Sequence, residues 1–303
     1  MDIFDFAVSY VWEYDEDFIS LIEKKLQDSG LSTYVIKYHN IEETTEKIRN
    51  RKIYFRSYLD RASDVATEFE ELARILTRKK IRIFNDYKSV QHSIDKASMH
   101  LEFITNGIEV PHSIIIPPYN YKENILLSVD DLAILGRPFI IKPCNTTGGG
   151  IGVVTGAETL KEVLEERITH KNDKYILQEK VYPQIIDGRR SWFRSFWAFG
   201  SAIPVWWDDE THIYNVLSPS EVKSYNLKKL TTITKTIARI SNLDFFSTEI
   251  VLTKNNKFVV IDYVNDQCDM RFKSLHFDGV PDEIIERIII NLLNEVMSVK
   301  NSV

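Results

Sequence analysis

The sequence predicts a parallel α/β lobe at the N-terminus, followed by lobes that mix helices with antiparallel sheet. Two observations carry this. Over roughly the first 90 residues, short apolar strand-like runs alternate with helical patterns, the βαβα order of a parallel sheet. After Tyr175 the apolar runs Tyr175–Val181, Trp192–Phe199 and Ile203–Trp207 follow one another with no long helix between them, as antiparallel strands do.

Each element follows in order. Asp5–Tyr10 is apolar and aromatic, a short buried strand. Asp17–Asp28 places Phe18, Ile19, Leu21, Ile22 and Leu26 at helical spacing, and Gly30 stops that helix. Thr33–Tyr38 and Ile53–Leu59 read as the second and third strands. Asp64–Arg78 is a helix with Val65, Phe69, Leu72, Ala73 and Leu76 on one face, and Ile81–Phe84 is the fourth strand. A helix is expected from about Ser89 to Thr105, closed near Gly107. Pro111, Pro117 and Pro118 mark an extended segment. Ser128 and Asp131 form a capping-box signature. Phe139–Lys142 is a strand that runs into a glycine cluster, and Leu160–Ile168 is a helix. A long helix is expected over Glu221–Ser241, then the hairpin Thr248–Leu252 / Phe258–Tyr263 turning at Lys254–Lys257. Asp282–Met297 closes the chain as an amphipathic helix. The domain reading is 1–90, 91–174 with the glycine-rich loop, and 175–303.

Composition narrows the class. The 303 residues are 44% hydrophobic and 27% charged, ordinary values for a globular protein. No apolar run approaches the roughly 18 residues of a membrane span, and Met1–Asp5 lacks the basic start of a secretory signal. Cys144 and Cys268 cannot build a disulfide framework, which fits a reducing, cytoplasmic setting. The formal charge of −6 argues against nucleic acid as a partner. No membrane partner is expected; a homo-oligomer is compatible with the sequence.

Three segments could carry chemistry. The first is Lys142-Pro-Cys-Asn-Thr-Thr-Gly-Gly-Gly-Ile-Gly152. Backbone without Cβ can approach phosphates and aim its N–H groups at them. Thr146 and Thr147 add hydroxyls, and Lys142 ends the strand beneath. No Gly-Lys-Ser/Thr follows, so this is not a Walker loop, and the spacing breaks the dinucleotide fingerprint. The plain alternative is a flexible surface loop. The second segment is acidic: Glu249 on one hairpin strand, Asp262 and Asn265 on the next. The turn sets the two acids beside each other, and hard oxygens suit Mg²⁺. Asp262 also ends the apolar run Phe258–Ile261, where an acid is usually paired, metal-bound or catalytic. The alternative is an edge carboxylate facing solvent. The third is Ile176-Leu-Gln-Glu-Lys-Val181, whose polar end could offer backbone groups to an adenine edge.

In this order the segments resemble the ATP-grasp superfamily, nearest its glutathione-synthetase and RimK-like carboxylate–amine ligases. The likeness spans Ser89 to Asn265. Ile94-Asp95-Lys96, then Gly107-Ile-Glu-Val-Pro111, resembles the family's opening segment, in which Lys96 would contact nucleotide phosphates. Lys142-Pro143 with Thr147, Gly148, Gly149 and Gly150 resembles the strand and mobile loop over the phosphates. Gln178, Glu179, Lys180 and Val181 resemble the adenine hinge. Arg194 resembles the arginine that steadies the transferred phosphoryl group or the substrate carboxylate, with Lys142 as its catalytic companion. Glu249, Asp262 and Asn265 resemble the magnesium set.

The resemblance implies an N-terminal α/β domain joined to a two-lobed ATP-grasp fold with antiparallel sheets. It implies ATP with Mg²⁺, or Mn²⁺ in its place, and an ATP-dependent ligase that activates a small-molecule or peptide carboxylate as an acyl phosphate for an amine. Two departures stand out. Asp262 and Asn265 are three apart where the family has two, leaving Asp266 or Asp269 as substitutes; and Trp192 occupies the place of an acid two before the arginine. Two other readings compete: a kinase phosphorylating a hydroxyl, with Arg189, Arg190 and Arg194 as its basic pocket, and a non-catalytic nucleotide-binding module. The aromatic run from Trp192 to Trp207 reads as sheet core, His212 as a surface residue, and Trp12–Asp15 as a stretch that could touch the acceptor.

Overall fold

The computed structural model describes residues 1–79, 81–145 and 152–302. In chain order its elements are β1 (Asp2–Tyr10), α1 (Glu16–Asp28), β2 (Thr33–Ile36), α2 (Ile41–Arg49), β3 (Ile53–Arg61), α3 (Thr67–Thr77), β4 (Arg82–Phe84), α4 (Tyr87–Ser93) and α5 (Lys96–Thr105). There follow β5 (Ser113–Ile116), α6 (Val129–Leu135), β6 (Phe139–Pro143), β7 (Val154–Ala157), α7 (Leu160–Glu166) and β8 (Tyr175–Glu179). The chain ends with β9 (Ile185–Ile186), β10 (Arg189–Arg190), β11 (Trp192–Ala198), β12 (Ser201–Trp207), β13 (Tyr214–Asn215), α8 (Pro219–Ser224), α9 (Lys228–Ser241), β14 (Phe245–Leu252), β15 (Phe258–Asn265) and α10 (Asp282–Asn301). Chain contacts divide these residues into two units: 1–91, 195–247 and 266–303 form the first, 92–194 and 248–265 the second.

The first unit contains a parallel sheet in the order β2-β1-β3-β4. Parallel strands need crossover helices, and α1, α2 and α3 supply them. Phe55, Tyr58, Phe69, Leu72 and Leu76 pack with Ala7 and Ile36 into one core. Helix α2 is absent from the sequence reading. Its buried positions are Ile41, Thr44, Thr45 and Ile48, a helical stripe half built from threonine. Thr45 returns its hydroxyl to the Ile41 carbonyl, so a polar residue serves an inward position. The same unit holds β12 with β13 beside it and the ends of β11 and β14.

The second unit contains an antiparallel sheet in the order β5-β8-β6-β7. Phe139, Ile141, Tyr175 and Leu177 bury one face with Leu135, Ala157 and Val163. Strand alternation turns Ile140 and Lys142 to the opposite face. The start of β11, most of β14 and all of β15 complete this unit.

Two expected helices are broken. The helix over Ser89–Thr105 is two, because Asp95 caps a fresh start: its Oδ1 accepts from Ala97 N at 3.1 Å and its Oδ2 pairs with Lys174 Nζ at 2.5 Å. The helix over Glu221–Ser241 is also two. Ser218 and Glu221 form a capping box for α8, and Asn226 turns left-handed at φ +55° before α9 begins.

Candidate active site

The break before α5 matters for the site. It sets Lys96 in the first helical position, and Lys96 N donates to Cys144 O at 3.0 Å, tying the helix start to the end of β6. Lys142 is on that strand, two residues earlier, and its Nζ donates to the Ile261 carbonyl on β15 at 3.3 Å. Burial pushes the Lys142 ammonium below the ordinary lysine value, and the charge of Lys96 adds to that; Asp262 and Glu249 oppose it. Lys96 and Lys142 thus feel each other across the α5–β6 junction.

The acidic pair is in place. Thr248 Oγ1 donates to the Asp262 carbonyl at 3.0 Å, joining β14 to β15 at this point. Glu249 and Asp262 interact electrostatically, as the hairpin predicts. Burial alone would raise Asp262; Lys96, Lys142 and Arg194 together hold its carboxyl below the usual range. Glu249 behaves oppositely. Its burial and the neighbouring Asp262 charge raise it, against Arg194 and Lys142. Its two oxygens are both engaged: Oε1 pairs with Arg194 Nη2, and Oε2 accepts from Trp192 Nε1 at 3.1 Å. Trp192 and Arg194 are two apart on β11, so alternation puts both side chains on one face of the sheet, where both reach Glu249 of β14.

The set therefore brings three cations, Lys96, Lys142 and Arg194, around two carboxylates, Glu249 buried and Asp262 half-buried. The surplus is positive, as a polyphosphate requires. Among the described residues, no three His, Cys, Asp or Glu side chains gather as a metal site. The pair Glu249–Asp262 nevertheless fits a hard dication that takes its other oxygens from phosphate. Asn265 is the last residue of β15. Alternation alone would send it and Asp262 to opposite faces, and the chain bends at Asp266, immediately after. Asp269, the alternative, is held on both oxygens by Arg271. Asp266 is buried at 3% exposure.

The hinge segment is sharpened. Gln178 pairs with Ser113 on one side and Ile140 on the other, so its backbone belongs to the ladder. Its side chain is buried and donates to Tyr263 Oη at 2.8 Å. Glu179 Oε1 accepts from His112 N at 2.8 Å. Lys180 and Val181 lie beyond the last paired residue of β8, where backbone groups are not part of the ladder.

Sequence reasoning missed Trp192 as a ligand of Glu249 and Tyr263 as the centre of a buried network. Tyr263 Oη also lies 2.5 Å from His100 Nδ1, and burial pushes the phenol up and the imidazole down. Neither aromatic carried a signal, because each sits in an apolar run that reads as core. Most of the aromatic run is core: Phe193, Phe196 and Trp206 are buried. His212 is exposed and stacks on Trp207 with centroids 5.4 Å apart. Cys144 is buried with its thiol pushed up to about 12, which suits packing and not nucleophilic attack. Asp15 is buried, and Arg61 holds both its oxygens. Thr147, Gly148, Gly149 and Gly150 lie outside the described residues.

Solved structures match this arrangement of elements along nearly its whole length. A RimK-domain ATP-grasp protein from Sphaerobacter thermophilus aligns at TM-score 0.63 and 16% identity, covering 96% of this chain and 99% of that one. The chain has the ATP-grasp fold. The D-alanine–D-alanine ligase of Bacillus anthracis, in complex with ATP, aligns at TM-score 0.61 and 16% identity over 98% of both chains. The D-cycloserine synthetase DcsG aligns at 0.63 and 13% over 97% and 99%. By sequence, no protein-family model and no curated protein matches this chain. Among the described residues, no helix is long and apolar enough to cross a membrane.

Proposed function

We propose that this ATP-grasp chain is an ATP-dependent ligase that joins a carboxylate to an amine and releases ADP and phosphate. One observation carries the reading: three cations, Lys96, Lys142 and Arg194, surround the carboxylate pair Glu249–Asp262 in a fold whose solved examples include ligases. Lys96 and Lys142 hold phosphate oxygens. Lys180 and Val181 offer backbone groups to the adenine, with Gln178 and Glu179 fixing the strand before them. Thr147 and Gly148–Gly150 belong to the loop assigned to the phosphates. Mg²⁺ or Mn²⁺ held by Glu249 and Asp262, with Asn265 as third oxygen donor, would neutralise the β- and γ-phosphate oxygens.

A substrate carboxylate oxygen attacks the γ-phosphorus, the bond to the β–γ bridging oxygen breaks, and ADP leaves. Lys142 and Arg194 stabilise the charge that develops on the transferring group. The amine then attacks the acyl carbon, phosphate departs with the C–O electron pair, and the nitrogen loses a proton. The small-molecule or peptide substrates follow the same chemistry as an amide-forming ligase.

Products test the reading. With ATP, Mg²⁺ and paired carboxylate–amine mixtures, sustained ADP release must require both substrates and yield an amide. Asp262→Asn should lower that turnover by roughly 10³-fold while circular dichroism stays unchanged. A phosphorylated hydroxyl formed without any amine would make the chain a kinase; full activity in Asp262→Asn would sink the assignment of that carboxylate.

A further inference from the structure

Glu249 has a protein partner on each carboxylate oxygen. Arg194 pairs with Oε1 and Trp192 holds Oε2, while the side chains of Arg194 and Glu249 are 13% and 12% exposed. Each oxygen keeps a second lone pair, so a cation competes with these partners by charge and not for a last free lone pair. The two partners are not equivalent. The indole of Trp192 is neutral, and its N–H bond to Oε2 is compatible with metal on Oε1. The guanidinium carries a full charge against Oε1, so a dication approaching that oxygen meets its repulsion.

The release of Arg194 has a destination. Asp262, the second carboxylate, already draws on Arg194 electrostatically together with Lys96 and Lys142. A guanidinium freed from Glu249 stays in the same cation-rich set, where phosphate oxygens are bidentate acceptors for it. Trp192 cannot follow. It remains as the pivot that keeps the Glu249 carboxylate aimed while its other oxygen changes partner.

We propose that Arg194 is a placeholder for the metal on Glu249, that Glu249 exchanges it for the dication, and that Trp192 is the positioning residue that holds the carboxylate through the exchange. The inference rests on the ligase reading only for the metal at Glu249. Its consequence is that the arginine reaches the phosphates only after the metal site is filled, so a nucleotide bound without metal meets an incomplete site.

Mn²⁺ binding to the full-length chain without nucleotide tests this, followed by the electron paramagnetic resonance signal of the free ion. Wild type should bind weakly. Arg194→Gln should bind about tenfold tighter, equivalent to about 1.4 kcal/mol, and Lys96→Gln, which removes the same charge without vacating Glu249, should gain less. Trp192→Phe should bind several-fold more weakly and should delete an emission change that Mn²⁺ causes in wild type. Affinity unchanged in Arg194→Gln, with Glu249→Gln still abolishing binding, overturns the exchange and leaves the metal reading standing. Binding that Glu249→Gln does not weaken overturns both. If Arg194→Gln fails to fold, the wild-type emission change decides: its presence and its loss in Trp192→Phe support the pivot, and its absence overturns it.

Discussion

Two buried charge clusters in this molecule use the same pair of groups to opposite ends. In the second unit, Arg194 and Glu249 are paired within a set that has more cations than acids. In the first unit, Arg61 is paired with Asp15 through Nε at 3.0 Å and Nη2 at 2.7 Å, both side chains 1% exposed, within a set that has more acids than cations. Asp64 and Asp266 are electrostatic neighbours of Arg61, and Asp60 is a neighbour of both acids. Asp60 is satisfied by Ser9, Ala62 and Ser63. Asp64 and Asp266 each keep one buried oxygen with no hydrogen-bond partner. The excess charge shows in their acidities: burial and mutual repulsion push Asp64 up to about 8 and Asp266 up to about 6. The contrast teaches that a buried arginine–carboxylate pair says little until its surroundings are counted. Surplus positive charge can be neutralised by a polyanion from outside, whereas surplus acid is neutralised by protons that the fold retains.

The sharpest way to break this comparison is to remove the fixed arginine. Arg61→Leu leaves Asp15 buried and uncompensated, and should destabilise the chain by roughly 3–5 kcal/mol, read as a lower urea midpoint. Loss below about 1 kcal/mol would mean that the first cluster is as exchangeable as the second. A smaller effect is expected at Tyr263→Phe, which keeps the ring but strips Gln178 Nε2 and His100 Nδ1 of their shared partner. About 1–2 kcal/mol should be lost in thermal unfolding.

A third effect is expected in pH dependence. Asp64 has a folded value of about 8, above the roughly 3.9 of an unfolded aspartate. The folded chain then holds more protons, so stability is fully present below about pH 4 and is lost as pH rises through about 8. Asp64→Asn should flatten that decline between pH 5 and 8, within the window set by these two values. A wild-type curve that tracks the Asp64→Asn curve over this range would contradict the acid-rich description.

The sequence was informative where a charged residue interrupts an apolar run. Lys142 after Phe139–Ile141, Asp262 after Phe258–Ile261 and Arg194 between aromatics were all visible for this reason, and all join one site. The parallel sheet was visible because each strand and helix had its own periodicity. Helix α2 was not, because threonines fill half its buried stripe. The break at Asp95 was hidden because apolar spacing continues on both sides, and only the cap reveals a new helix. Trp192 and Tyr263 were hidden for a different reason. A hydrogen bond from a buried aromatic depends on what lies across the sheet, and spacing along the chain does not encode it.

The most direct test of the cation-rich site is calorimetric titration of the whole chain with a non-hydrolysable ATP analogue in Mg²⁺. The account predicts one site, weakened roughly 100-fold, about 2.7 kcal/mol, by Lys142→Met. No binding in wild type, or equal binding in wild type and Lys142→Met, would contradict it.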